Sequence, residues 1–92
     1  MQRVIFLTLS LAAGAASMQA LAGPQCTEEP QDKWQNQESF QEKLKADGYE
    51  IRKFKVTKGN CYEIYGLDKE GRKVEIYFNP VDGSIVKQEI DE

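Results

Sequence analysis

The stretch from Cys61 to Gly83 constrains the fold more than any other, because it encodes a β-hairpin together with its register. Cys61-Tyr-Glu-Ile-Tyr-Gly66 leads through Leu67 into Asp68-Lys-Glu-Gly71, and Arg72-Lys-Val-Glu-Ile-Tyr-Phe78 leads out toward Asn79-Pro-Val-Asp-Gly83. Asp68 suits the first position of a type I turn and Gly71 the left-handed position of a G1 bulge, which sets Asp68 opposite Arg72. Tyr62 then meets Phe78, Ile64 meets Ile76 and Gly66 meets Val74 on one face. Glu63 meets Tyr77 and Tyr65 meets Glu75 on the other. One face is apolar; the other is tyrosine and carboxylate.

Residues 1–22 read as a secretory signal, with Arg3 in a short n-region, an apolar run over residues 4–16, and Ala20-Leu21-Ala22 as a small-x-small site cleaved after Ala22. The strongly apolar run of about 13 residues falls short of the roughly 20 that span a bilayer, so no stable membrane insertion is expected once it is cleaved. The expected location is periplasmic or secreted. The remainder, residues 23–92, is about 70 residues long, near the lower limit for a single unaided core. It divides into an extended arm over 23–33 and one compact domain over 34–92. Losing Arg3 takes the net charge from −3 to about −4, an acidic balance that disfavours nucleic acid or an anionic membrane surface as partner.

Both cysteines, Cys26 and Cys61, lie beyond the leader, and an even count in an exported, undersized domain predicts a disulfide between them. Closing a loop of roughly 35 residues stabilises by about 3 to 4 kcal/mol in the chain-entropy model and would tie the arm to the sheet. The chain has no histidine and no Cys-x-x-Cys, so neither a redox pair nor a metal site is expected, and no cofactor.

Pro24 and Pro30 keep residues 23–33 extended. Asn36 can cap a helix over about 37–47, with Glu38 in its first turn, Lys43 and Lys45 in its last, and Gly48 as a left-handed stop. Phe40 and Leu44 form its buried stripe, and Trp34 folds in just before the cap. A first strand over 49–57 carries Tyr49 and Ile51 in one parity and Phe54 and Val56 in the other. Burying all four requires a bulge near Arg52 or Lys53. After the hairpin, Asn79 to Gly83 turns into a last strand over 84–90. Its register stays open: either Val86 and Ile90 face inward, or the opposite parity buries Ile85 alone. The expected fold class is α+β, one helix packed on a four-stranded antiparallel meander.

Glu63 and Glu75 could in principle do acid and base work, but no nucleophile, histidine or orienting partner accompanies them, and an open sheet face normally leaves carboxylates solvated. No catalytic residue is expected. The turn Asp68-Lys69-Glu70-Gly71 offers too few oxygens for calcium. The face formed by Glu63, Tyr65, Glu75 and Tyr77 reads either as ordinary strand propensity or as an open recognition surface, in which tyrosines give rigid area and carboxylates select basic or amine-bearing partners.

Laid end to end, the helix, Leu44-Lys-Ala-Asp-Gly-Tyr-Glu-Ile51, the tyrosine-rich hairpin and Asn79-Pro-Val-Asp-Gly83 give a chain that resembles the PepSY family over residues 34–90, specifically its small exported bacterial members. The resemblance implies an antiparallel sheet with a packed helix and a non-catalytic role. PepSY domains occur in propeptides of secreted metallopeptidases, where inhibition of the peptidase is the proposed role, and in membrane-associated or sensor proteins. These 92 residues hold no peptidase domain, so the implied partner acts in trans. The expected function is a periplasmic binding and regulatory module that modulates or inhibits an exported protease. The second reading is a structural or ligand-sensing accessory of the cell envelope with no protease partner. Oligomeric state is not specified by any feature of the sequence.

Overall fold

The computed structural model describes residues 23–91, so the leader expected over residues 1–22 lies outside the described residues. A 3-10 turn at Gln31–Lys33 precedes helix α1 (Gln37–Ala46), followed by β1 (Glu50–Val56), β2 (Tyr62–Leu67), β3 (Lys73–Phe78) and β4 (Ile85–Asp91). The strands form one antiparallel sheet in the order β1-β2-β3-β4, a meander with α1 on one face. The α+β arrangement expected from the sequence is the one observed.

Hydrogen bonding at the hairpin turn explains its register. Asp68 Oδ1 accepts from the backbone N–H of Glu70 and of Arg72, both at 2.9 Å, and Arg72 Nε donates to Asp68 Oδ2 at 2.8 Å. These bonds hold the Asp68 carboxyl below the usual carboxylate range against the burial that would raise it. Gly71 takes φ of +81°, and Tyr62, Ile64 and Gly66 pair with Phe78, Ile76 and Val74. A Cβ at Gly71 would meet no atom within 4 Å, so only backbone strain opposes substitution. Gly71→Val is therefore expected to cost on the order of 1 kcal/mol or more in urea unfolding, and Gly71→Asn less, because asparagine tolerates the left-handed region.

Asn36 caps α1 through its side-chain oxygen, which accepts from Ser39 N–H at 2.9 Å, and Gly48 ends the helix at φ of +105°. Phe40 and Leu44 descend from α1 onto Tyr62, Ile64, Val74, Ile76 and Phe78, with Trp34, Tyr49, Ile51 and Phe54 closing the rim. Aromatic rings hold the centre: Phe40 lies 5.0 Å from Tyr62 and 5.1 Å from Phe78, in tilted or edge-on contact. The Asn79–Gly83 turn docks beneath the helix start, where Gln35 N–H donates to Pro80 O at 2.8 Å and Tyr62 Oη donates to Gln35 O at 2.6 Å.

The expected bulge in β1 lies between Ile51 and Lys53, and it lets Ile51 and Phe54, of opposite parity, both pack against the core. Val56 departs from the expectation. It sits at the end of an edge strand beyond the reach of α1 and is exposed. Gly66 is where β1 approaches most closely, since a Cβ there would run into the carbonyl of Glu50.

In β4, a second register shift opposite Tyr77 and Phe78 replaces both regular parities considered for this strand. Ile90 stands beside Val74 and Ile85 beside Phe78, yet neither is buried. The helix contacts β1 and does not reach β4, so every residue of that strand is exposed.

Candidate functional site

Glu63 and Tyr65 on β2 and Glu75 and Tyr77 on β3 share the sheet face opposite α1, with Glu63 across from Tyr77 and Tyr65 across from Glu75. Strand alternation brings them together as expected. The expectation that this face is open holds only in part. Tyr65 is 37% exposed and Glu75 is half-buried, but Tyr77 retains 7% and Glu63 only 2% of its surface.

For Tyr77 the N-terminal arm is the reason. Cys26 and Cys61 form the expected disulfide, which folds the arm back onto the tyrosine side of the hairpin. Cys26 N–H donates to Gly59 O at 2.8 Å and Asn60 Nδ2 donates to Thr27 O at 3.2 Å. The arm lies so close to the β1–β2 turn that a Cβ on Gly59 would collide with the carbonyl of Pro24. At Gly23, a Cβ would stand 2.6 Å from Cε2 of Tyr77, so the glycine backbone rests directly on the tyrosine ring.

Under this cover the carboxyls have unequal surroundings. Tyr77 Oη donates to Glu75 Oε2 at 2.8 Å. Glu63 Oε1 is 3.9 Å from the ammonium of Lys55, a long contact to a half-exposed side chain, while Glu63 Oε2 is buried without any hydrogen-bond partner. Burial, and then the adjacent Glu75 carboxylate, push the Glu63 carboxyl above its usual range. Glu75 is held below that range, first by its interaction with Glu63 and then by the tyrosine hydroxyls. As pH falls, the first proton bound by the pair therefore resides mainly on Glu63. Tyr65 is pushed up to about 12, chiefly by Glu63 and then Glu75, and Tyr77 is raised first by burial and then by Glu75. Both phenols remain donors at neutral pH.

Such a group can accept hydrogen bonds from an ammonium or guanidinium. Among the described residues no three His, Cys, Asp or Glu side chains gather as a metal site would require. The arm contact was missed from sequence because Gly23 and Pro24 carry no periodic pattern, and Gly59 reads simply as a turn glycine. The cysteine pair was the signal that could have placed the arm on this side, since Cys61 shares the parity of Glu63 and Tyr65.

A second surface lies along β4, where Ile85, Val86 and Ile90 are 47%, 41% and 39% exposed. At the end of this edge, a shallow depression is lined by Tyr65, Lys73, Val74, Glu75, Glu89, Ile90 and Asp91. The opposite edge strand, β1, instead presents Arg52, Lys53 and Lys55, the charged guard typical of an edge that avoids pairing.

These features define a small domain that buries its core between one helix and a meander and leaves one sheet edge uncovered. The family model for the peptidase propeptide and YPEB domain matches residues 4–89, and the chain belongs to this PepSY family. No curated protein and no solved structure matches it. Among the described residues no helix is long and apolar enough to cross a membrane.

Proposed function

We propose that the processed chain is a non-catalytic binding module of the bacterial periplasm or extracellular space that restrains another exported protein in trans, a protease being the partner class the family description points to. Strand β4 carries this reading: it is an edge strand of seven residues, exposed throughout, with three apolar side chains in water. An edge of this kind accepts an extended segment of a partner by strand addition, with main-chain hydrogen bonds supplying affinity and the side chains specificity. Tyr65 of β2, which lines the depression beside this edge, supplies a rigid aromatic contact, and the carboxylates Glu75, Glu89 and Asp91, which outnumber Lys73 there, favour a basic residue in the partner segment. Of the four residues singled out on the tyrosine face, Tyr65 and Glu75 retain access for this role.

The test is inhibition of proteolysis in the exported fraction by the purified protein. Ile85→Asp with Ile90→Asp is expected to weaken inhibition at least tenfold, since apolar anchors at an interface centre contribute about 2 kcal/mol or more. The melting temperature should fall far less than for a core substitution, because Ile85 is 47% and Ile90 39% exposed. Tyr65→Ala should weaken inhibition without unfolding. A folded wild-type protein that leaves proteolysis unaltered defeats the protease reading, and a double variant inhibiting at full strength removes β4 from the interface.

A further inference from the structure

Glu63 has a buried carboxylate oxygen without a partner, in a chain otherwise able to satisfy its buried side-chain polar atoms among the described residues. An uncompensated buried carboxylate is costly, and a cation beside it would remove that cost. Lys55 reaches only Oε1, at 3.9 Å, and Lys87 is held 6.0 Å from the centre of the Tyr77 ring and 3.4 Å from Glu89. Lys53 lies over Tyr65. The backbone of Gly23 approaches Tyr77, the cross-strand neighbour of Glu63. The Gly23 Cβ position is 3.0 Å from Tyr77 Oη, and that hydroxyl is 2.8 Å from Glu75 Oε2. Bond geometry then keeps the Gly23 nitrogen within about 5.5 Å of Tyr77 Oη.

We propose that Glu63 and Glu75 form an ammonium site for the chain's own processed N-terminus, occupied when cleavage after Ala22 converts the Gly23 amide nitrogen into a free amine. The inference rests on the processing expected from the sequence. A processing peptidase hydrolyses the Ala22–Gly23 bond with one water, leaving the carboxylate on Ala22 and a protonated amine on Gly23. That ammonium supplies the charge and the donors that Glu63 Oε2 lacks. It would sit beside the hydroxyl end of Tyr77, against which the Gly23 backbone packs. Glycine is the residue this arrangement admits, since a side chain at position 23 would collide with Tyr77. Processing thereby seals the arm over the sheet. The groups facing the amine are Glu63 and Tyr65 from β2, Glu75 and Tyr77 from β3, Lys55 from β1 and Lys87 from β4.

The experiment exports the full chain with its own leader, purifies the processed protein, sequences its N-terminus, and follows the α-amine through the Gly23 Hα resonances as pH is varied. A free α-amine titrates at about 7.7–8.0. The site is expected to raise that value by about one unit or more, and Glu63→Gln to return it to the ordinary range. A group raised on folding stabilises fully below its unfolded value and loses the effect as pH rises through its folded value. The melting temperature of wild type should therefore exceed that of Glu63→Gln at pH 7 by more than at pH 10. An amine in the ordinary range in wild type overturns the site even if Glu63→Gln does not fold, as does an amine left unmoved by that variant. A mature chain beginning elsewhere than Gly23 overturns the processing itself, and with it the pairing.

Discussion

Removing the disulfide, by Cys26→Ala together with Cys61→Ala, is expected to destabilise the domain by about 3 to 4 kcal/mol. The bond closes a separation of 35 residues in a domain whose single core is small. For a chain of this size, that loss corresponds to a fall in melting temperature of roughly 15 to 30 °C. More than entropy is involved, because Cys61 is fully buried and the arm that it anchors packs on Tyr77 and on the β1–β2 turn at Gly59. Limited proteolysis of the double variant should therefore cut first within residues 23–33, and it should do so while the hairpin stays protected. Thermal and urea unfolding check the magnitude. A loss below about 1 kcal/mol would mean that the arm holds its place through Gly59, Asn60 and Tyr77 without the cross-link.

Ile64→Ala and Ile76→Ala are each expected to cost roughly 2 to 5 kcal/mol in urea unfolding. The two residues face one another across the central strands, are fully buried, and lie under Phe40 and Leu44, where the neighbouring rings cannot collapse into the space left. Glu75→Ala, on the other face and half-buried, should cost far less. Val86→Ala should cost less still, its side chain being 41% exposed at an uncovered edge. Equal losses from Glu75→Ala and Ile76→Ala would mean that the assigned faces are reversed.

How the domain would act on a partner depends on the same division of the sheet. The helix covers β1 to β3 and stops short of β4, so the apolar residues of the last strand have no cover within the domain. The tyrosine side has its own partial cover, the arm, and Tyr65 and Glu75 stay accessible beside the neighbouring end of β4. The proposed amine site and the edge-strand surface share Glu75, while Glu63 belongs to the first and Ile90 to the second, so variants at Glu63 and at Ile90 should not mimic one another.

Local rules determined the hairpin, its register, the helix with its Asn36 cap, and the bulge in β1, because each is encoded within a few residues of where it forms. Gly71 admits one turn geometry, that geometry aligns Ile64 with Ile76, and strand alternation then assigns the faces. The cysteine pairing was also readable, since only two cysteines are present. The path of the arm was not. Residues 23–33 have no periodicity to record what they pack against, and the Gly23 backbone rests on the ring of Tyr77, 54 positions away in sequence. The final register of β4 was likewise undecided, because its apolar residues occupy both parities and only pairing with β3, with a bulge opposite Phe78, selects among them. Sequence alone determined which side chains of the hairpin share a face; the tertiary structure decided which face meets water, because exposure depends on distant segments folding back over it.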